Sequence, residues 1–183
     1  TKVEDINVMM GHSLGEYTAL TCSEKINLKD SCLLLKKRGE LMNNAASPNE
    51  TGMAALIGKD SKFINDIIKN NQLDLEIAND NSPMQIVISG KKNDIITSKE
   101  IFLNNNVKRF VELNVSAAFH SKFMHKAQDE LSREIKELDF IENEIHIISN
   151  YDANSYNDSV SIKKNLQNQM ANQVKWTQSI KKL

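Results

Sequence analysis

Proline is nearly missing from this 183-residue chain, which has two, and glycine and cysteine are scarce at six and two. So little proline and glycine excludes a collagenous or low-complexity disordered chain. Cys22 and Cys32, ten positions apart in a stretch that reads as helical, form neither a disulfide framework nor a zinc pattern. They suit a reducing compartment, and no metal is expected. No sign of charge dominates, with 23 Lys and Arg against 24 Asp and Glu and a net charge of -1. That excludes the broad basic field of a sequence-independent nucleic-acid binder. No apolar run approaches the roughly 18 residues of a membrane span, so neither nucleic acid nor a membrane is an expected partner. Arginine is rare as well: Arg38, Arg109 and Arg133 leave the other 20 cations to lysine. A well-placed arginine is therefore worth following. What remains is 40% hydrophobic and 26% charged, enough to bury the core of one large domain or two small ones.

The hydrophobic pattern divides the chain. Ile6–Met10 reads as a short buried strand running into a glycine turn, and Glu16–Ser23 as a helix. Lys29 to about Ala46 predicts a longer helix, with Asn27 as cap and Leu28, Leu33, Leu34, Leu35, Leu41 and Met42 as its buried stripe. Residues 47–52, Ser-Pro-Asn-Glu-Thr-Gly, read as a linker. Beyond it come a strand (53–57), a helix (61–70), strands at 75–78 and 85–89 around a turn at 79–83, a helix (92–104) and a strand (107–113). This β-α-β-β-α-β order is that of a ferredoxin-like unit. A helix over 121–138, a strand over 144–150, a polar loop over 151–158 and a helix from 162 to about 171 complete the pattern. The expectation is an α/β core, discontinuous over 1–51 and 115–183, with an inserted ferredoxin-like α+β subdomain over 52–114. Thr1 stands where a complete chain would have Met, and the last residues stop in a helical pattern, so both ends read as truncated.

Gly11-His12-Ser13-Leu14-Gly15 matches G-x-S-x-G between an apolar strand and a helix. There the glycines permit a sharp turn that lifts Ser13 Oγ above the sheet, and the Leu14 backbone N–H at the helix start can donate to an oxyanion. The alternative is an ordinary glycine loop. A serine nucleophile needs a base. His12 sits in the turn itself, His146 in a strand and His125 on the solvent side of a helix. His120, in a loop entering a helix (Ala-Ala-Phe-His-Ser, 117–121), is the candidate, weighed against a structural histidine. Arg38 has two open readings: a solvated basic helix end, or a guanidinium that pairs bidentately with a substrate carboxylate.

Together these residues resemble malonyl-CoA:acyl-carrier-protein transacylases of bacterial fatty-acid synthesis, nearly from end to end. Residues 11–16 (Gly-His-Ser-Leu-Gly-Glu) resemble the nucleophile elbow, Arg38-Gly39 with Leu41-Met42 the arginine helix, and Gly52–Ala55 the entry to a small subdomain. Asn79–Gly90 looks like the Asn-x-Pro-x-Gln…Ser-Gly segment, Ala118–Ser121 with Met124 the histidine motif, and Gln169 with Val174–Trp176 the C-terminal segment. The resemblance implies a serine-hydrolase-like core in which Ser13 is acylated and His120 is its base. It implies that Arg38 binds the malonyl carboxylate and that Gln169 orients His120 through its main-chain carbonyl. It also implies that Phe119 favours malonyl over bulkier groups, with His12 beside the substrate. Malonyl-CoA would be the substrate and acyl carrier protein the partner, its phosphopantetheine the acceptor, with no cofactor of the enzyme's own. A cytoplasmic monomer is the default.

The sequence departs from that pattern in two places. It starts downstream of a strand and Gly-Gln-Gly-x-Gln loop that supply a second oxyanion donor in the family, and Met84 stands where Gly is usual. Losing one such donor costs about 2.7–4 kcal/mol, so an incomplete, poorly active copy is expected. A serine hydrolase of esterase or lysophospholipase type, and a non-catalytic module that docks a carrier protein, are the rival readings.

Overall fold

The computed structural model describes residues 5–47 and 49–183; residues 1–4 of the expected core segment, and Pro48 of the expected linker, lie outside the described residues. Near the start, β1 (Val8–Met10) turns directly into α1 (Leu14–Cys22), and α2 (Leu28–Asn44) follows. Asn27 caps α2, its side chain accepting from the Asp30 N–H at 2.9 Å. Much later, β6 (His146–Ile148) lies parallel beside β1 with Met10 opposite Ile148, and β7 (Ser155–Tyr156) adds antiparallel, giving the order β1-β6-β7. Around this sheet pack α1, α2, α5 (His125–Glu137) and α6 (Ser159–Gln167), joined by Tyr17, Leu20, Leu34, Leu131, Ile135, Ile147 and Leu166.

The second sheet comprises β2 (Thr51–Ile57), β3 (Leu75–Ser82), β4 (Gln85–Lys91) and β5 (Arg109–Leu113), antiparallel throughout in the order β3-β4-β2-β5. Between these strands run α3 (Ser61–Asn70) and α4 (Lys92–Asn104). The period-two alternation of a strand sorts β2 and β4 onto two faces. Ala54, Leu56, Ile86 and Ile88 share a core with Ile64, Ile67 and Phe102 of the two helices. Met53, Ala55, Ala78 and Val87 face the other way, with Leu113, Val115 and Phe119 packed against them. This second face is the one that meets the elbow. A last helix, α7 (Trp176–Ile180), is tied to β3 through Asp80, whose carboxylate accepts from Thr177 Oγ1 and, at 3.0 Å, from Gln178 Nε2.

Three expectations need correcting. The buried residues of α2 are Ser31, Leu34, Arg38 and Met42, while Leu28 and Leu33 are 69% and 57% exposed. A run of leucines marks no face; the 3.6-residue period started from Leu34 does, and it carries Arg38 inward. Asn79–Ser82 continue β3 and do not form the turn, because two register irregularities, at 77/79 and 80/82, let polar residues stay in the strand. Thr51 is not linker: it opens β2, 3% exposed, and its Oγ1 accepts from the Ala118 N–H at 3.1 Å. Among the described residues, no helix is long and apolar enough to cross a membrane.

Candidate active site

Ser13 and Asn150 leave the same end of the small sheet, one after β1 and the other after its parallel neighbour β6. That is where an open α/β sheet offers its ligand crevice. Ser13 holds a left-handed backbone, φ 53, at the junction of β1 and α1. A non-glycine residue in that conformation is strained, and such strain gathers at functional sites. The expectation that both glycines serve the turn is half right. A Cβ on Gly11 would stand 2.0 Å from the Gly15 carbonyl oxygen, whereas one on Gly15 would meet nothing within 4 Å. Only Gly11 is required by the close approach.

Two side chains converge on Ser13 Oγ, and a main-chain carbonyl holds one of them. His120 Nε2 lies 2.8 Å from Oγ, and Arg38 Nη2 donates to Oγ at 2.9 Å. His120 also has a positive φ, 54, so both members of the pair sit where non-glycine residues are rare. Its other ring nitrogen, Nδ1, is 3.1 Å from the Gln169 main-chain carbonyl. A carbonyl can only accept, so Nδ1 carries the proton and Nε2 receives the Ser13 hydroxyl. Burial, and then the Arg38 charge, lower His120 to a pKa of about 4. The ring is therefore a neutral acceptor at ordinary pH.

Arg38 is 5% exposed, not a solvated helix end. Its guanidinium lies over the Tyr17 ring, 5.4 Å from the centroid, and Nη2 also reaches Gln169 Oε1 at 3.3 Å. Arg38 Nε is one of three buried side-chain polar atoms without a partner among the described residues. A buried cation with a spare donor and no carboxylate bonded to it is an anion receptor in waiting. Beside it opens a cavity of about 500 Å³, lined among others by His12, Ser13, Arg38, Met53, Phe119 and His120.

The remaining expected residues fall around this centre. Leu14 is the first residue of α1, so its N–H has no intrahelical acceptor and is free in principle for an oxyanion. The Ser13 N–H is already committed to Asn150 Oδ1 at 2.6 Å. His12 Nε2 donates to Asn81 Oδ1 at 2.8 Å, with Trp176 edge-on at 5.3 Å. Gln169 contributes its carbonyl and also its side chain, Nε2 donating to the Ser13 carbonyl at 3.0 Å.

Sequence reasoning missed Glu16, Asn150 and Asn81. Asn150, at the carboxyl end of a buried strand, occupies the place that points to a site in such sheets. Glu16, three residues after Ser13, fits the capping-box pattern, yet it makes no cap: it is buried and bonded to Gln169 and Asn150. Asn81 lay in the segment read as a turn. Among the described residues, no group of His, Cys, Asp and Glu is arranged to hold a metal ion.

Comparison with known proteins gives this constellation a setting. The family model described as acyl transferase domain matches residues 4–183. The polyketide biosynthesis protein PksE of Bacillus subtilis is 41% identical over 93% of this chain and 22% of its own length. A malonyl CoA-acyl carrier protein transacylase of the same organism is 36% identical over 94% of this chain and 56% of its own. Among solved structures, the malonyl CoA-acyl carrier protein transacylase of Coxiella burnetii superposes with a TM-score of 0.91, at 31% identity, over 96% of this chain and 56% of that one. A transacylase solved with its acyl carrier protein, from a type II polyketide system, gives 0.90 at 30% identity, over 96% and 57%. The chain thus spans just over half the length of the transacylases that it matches.

Proposed function

The chain belongs to the acyl transferase domain family, and from that premise we propose that it transfers a malonyl group from malonyl-CoA to the phosphopantetheine thiol of an acyl carrier protein. Relatives carry the name malonyl CoA-acyl carrier protein transacylase, one of them from polyketide biosynthesis, and one was solved with its carrier, which supports the choice of acceptor. The observation that carries the reading is Arg38: a buried guanidinium with an unpaired Nε, 2.9 Å from the nucleophile at the wall of the cavity.

In the first half-reaction His120 Nε2 takes the Ser13 proton as Oγ attacks the thioester carbonyl. The Leu14 N–H donates to the oxyanion, His120 passes the proton to the departing CoA sulfur, and malonyl-serine and free CoA thiol remain. In the second, the carrier's thiol attacks the same carbonyl while His120 takes the thiol proton and returns it to Oγ as Ser13 leaves. Gln169 keeps the imidazole aligned through a carbonyl in place of a triad acid. Phe119 bounds the acyl pocket, and His12, braced by Asn81 and Trp176, bounds it on the elbow side. Residues 52–114 form, in this reading, a ferredoxin-like subdomain inserted in a serine-hydrolase-like core. The strand order of the second sheet supports that description.

Arg38 supplies selectivity. A malonyl carboxylate satisfies the guanidinium, whereas an acetyl group leaves it buried with no carboxylate bonded to it. Truncating one partner of such a pair costs about 2–5 kcal/mol. Arg38→Ala should therefore lower malonyl-CoA use by at least about 30-fold while acetyl-CoA use holds or rises, read as acyl-enzyme formed from each thioester. An unchanged malonyl-to-acetyl ratio would remove Arg38 from substrate recognition.

A further inference from the structure

The groups that fix the Ser13–His120 pair are themselves held by one oxygen. Glu16 Oε2 accepts from Gln169 Nε2 at 2.7 Å and from the Asn150 N–H at 3.1 Å. Both residues lie far from Glu16 in the chain, and their side-chain polar atoms, with the Gln169 carbonyl, turn to the reacting centre. Gln169 presents its carbonyl to His120 Nδ1, its Nε2 to the Ser13 carbonyl and its Oε1 to Arg38. Asn150 presents Oδ1 to the Ser13 N–H, and its Nδ2 donates to the Gly11 carbonyl at 2.8 Å. Glu16 is 2% exposed and bonds neither the Ser13 hydroxyl nor the His120 ring.

The plain alternative is an acidic residue placed in the first turn of α1 to favour the helix dipole. The geometry argues against it. Glu16 makes no bond to the cap residue and spends its carboxyl on two other segments. Burial pushes that carboxyl up to about 7, against the opposing pull of Gln169, Asn150 and Arg38. A group so poorly solvated is weak evidence for stability, and a specific arrangement is the better-attested reason to keep one.

We propose that Glu16 is a positioning residue for both members of the pair: its carboxyl sets the Gln169 carbonyl behind His120 and the Asn150 amide behind the Ser13 backbone. Outer groups of this kind fix the tautomer and direction of the group that reacts. The kinetic consequence rests on the malonyl-serine reading; the tautomer of His120 does not.

The test compares Glu16→Ala, Glu16→Gln and Glu16→Asp with the unsubstituted chain by two readouts. The first is the ring-nitrogen NMR signature of His120, which reports the Nδ1–H tautomer. The second is Ser13 acylation by malonyl-CoA, scaled to sites titrated with a fluorophosphonate, so that misfolded protein is not counted. Glu16→Ala should mix the two tautomers and slow acylation by about 10–100-fold with KM for the thioester unchanged within about twofold. Glu16→Gln keeps an acceptor oxygen and should stay within about threefold of the parent. Where Glu16→Ala does not fold, Glu16→Asp decides in its place: the withdrawn oxygen should cost about tenfold. A parent tautomer and a parent rate per titrated site in the folded variant would overturn the proposal, and so would Glu16→Gln as slow as Glu16→Ala. A parent chain that is never acylated would sink the function reading alone, because the tautomer would still decide the role of Glu16.

Discussion

His120→Ala is expected to slow acylation of Ser13 by about 10²–10⁴-fold, the usual worth of a positioned general base, while the chain keeps its fold and its affinity for the thioester. The expectation follows from one hydrogen-bond chain. Gln169 O fixes the proton on Nδ1, which leaves Nε2 as the acceptor 2.8 Å from Ser13 Oγ. Among the described residues, the group behind the ring is the Gln169 carbonyl and not an acidic side chain, so no substitution there removes a triad acid. The pH profile follows as well. The working form is the neutral ring, and His120 is lowered to a pKa of about 4 by burial and by the Arg38 and His12 charges. Acylation in the unsubstituted chain should stay level from pH 7 to about 5 and fall only as the pH drops through about 4. Pre-steady-state acylation across that range checks both points. A midpoint near 6.5, the ordinary histidine value, would mean that the ring is open to water.

Gly11→Ala should abolish the active conformation outright. The added methyl would stand 2.0 Å from the Gly15 carbonyl oxygen and 2.1 Å from its carbon, backbone atoms that no rotamer change can move. The elbow must open, at a cost of about 3 kcal/mol or more, and Ser13 loses its place opposite His120. Gly15→Ala is the control that separates sterics from motif. It lies inside α1 with nothing within 4 Å of the new atom. Alanine there gains up to about 1 kcal/mol of helix propensity. Thermal unfolding and acylation of the two variants should therefore diverge, although a motif match treats both glycines alike. Equal loss in both would refute the steric account of the elbow.

The legibility of the chain follows the same physics. The helix 61–70 was readable to the residue because the Asp60 cap opens a clear apolar face, and 92–104 was readable although it starts without a side-chain cap. Ser13 and His120 were readable because each is tied to a local pattern, a glycine turn and a loop entering a helix. Arg38 was only half readable: its role depends on which helix face is buried, and the leucine run of α2 spans more than one, with Leu34 and Met42 buried but Leu28 and Leu33 exposed. Glu16, Asn150 and Asn81 act by contacts between segments up to 153 positions apart, and no local pattern encodes such pairing. Asn81 was further disguised, since a bulged strand of Asn, Asp and Ser reads as a turn.

The central claim is that Ser13 carries the acyl group, and intact-protein mass after prolonged incubation with malonyl-CoA tests it most directly. The account predicts one malonyl adduct per chain, however slowly formed, absent from Ser13→Ala and discharged by the phosphopantetheine thiol of a carrier protein. An adduct that persists in Ser13→Ala, or no adduct at all on the unsubstituted chain, would contradict it.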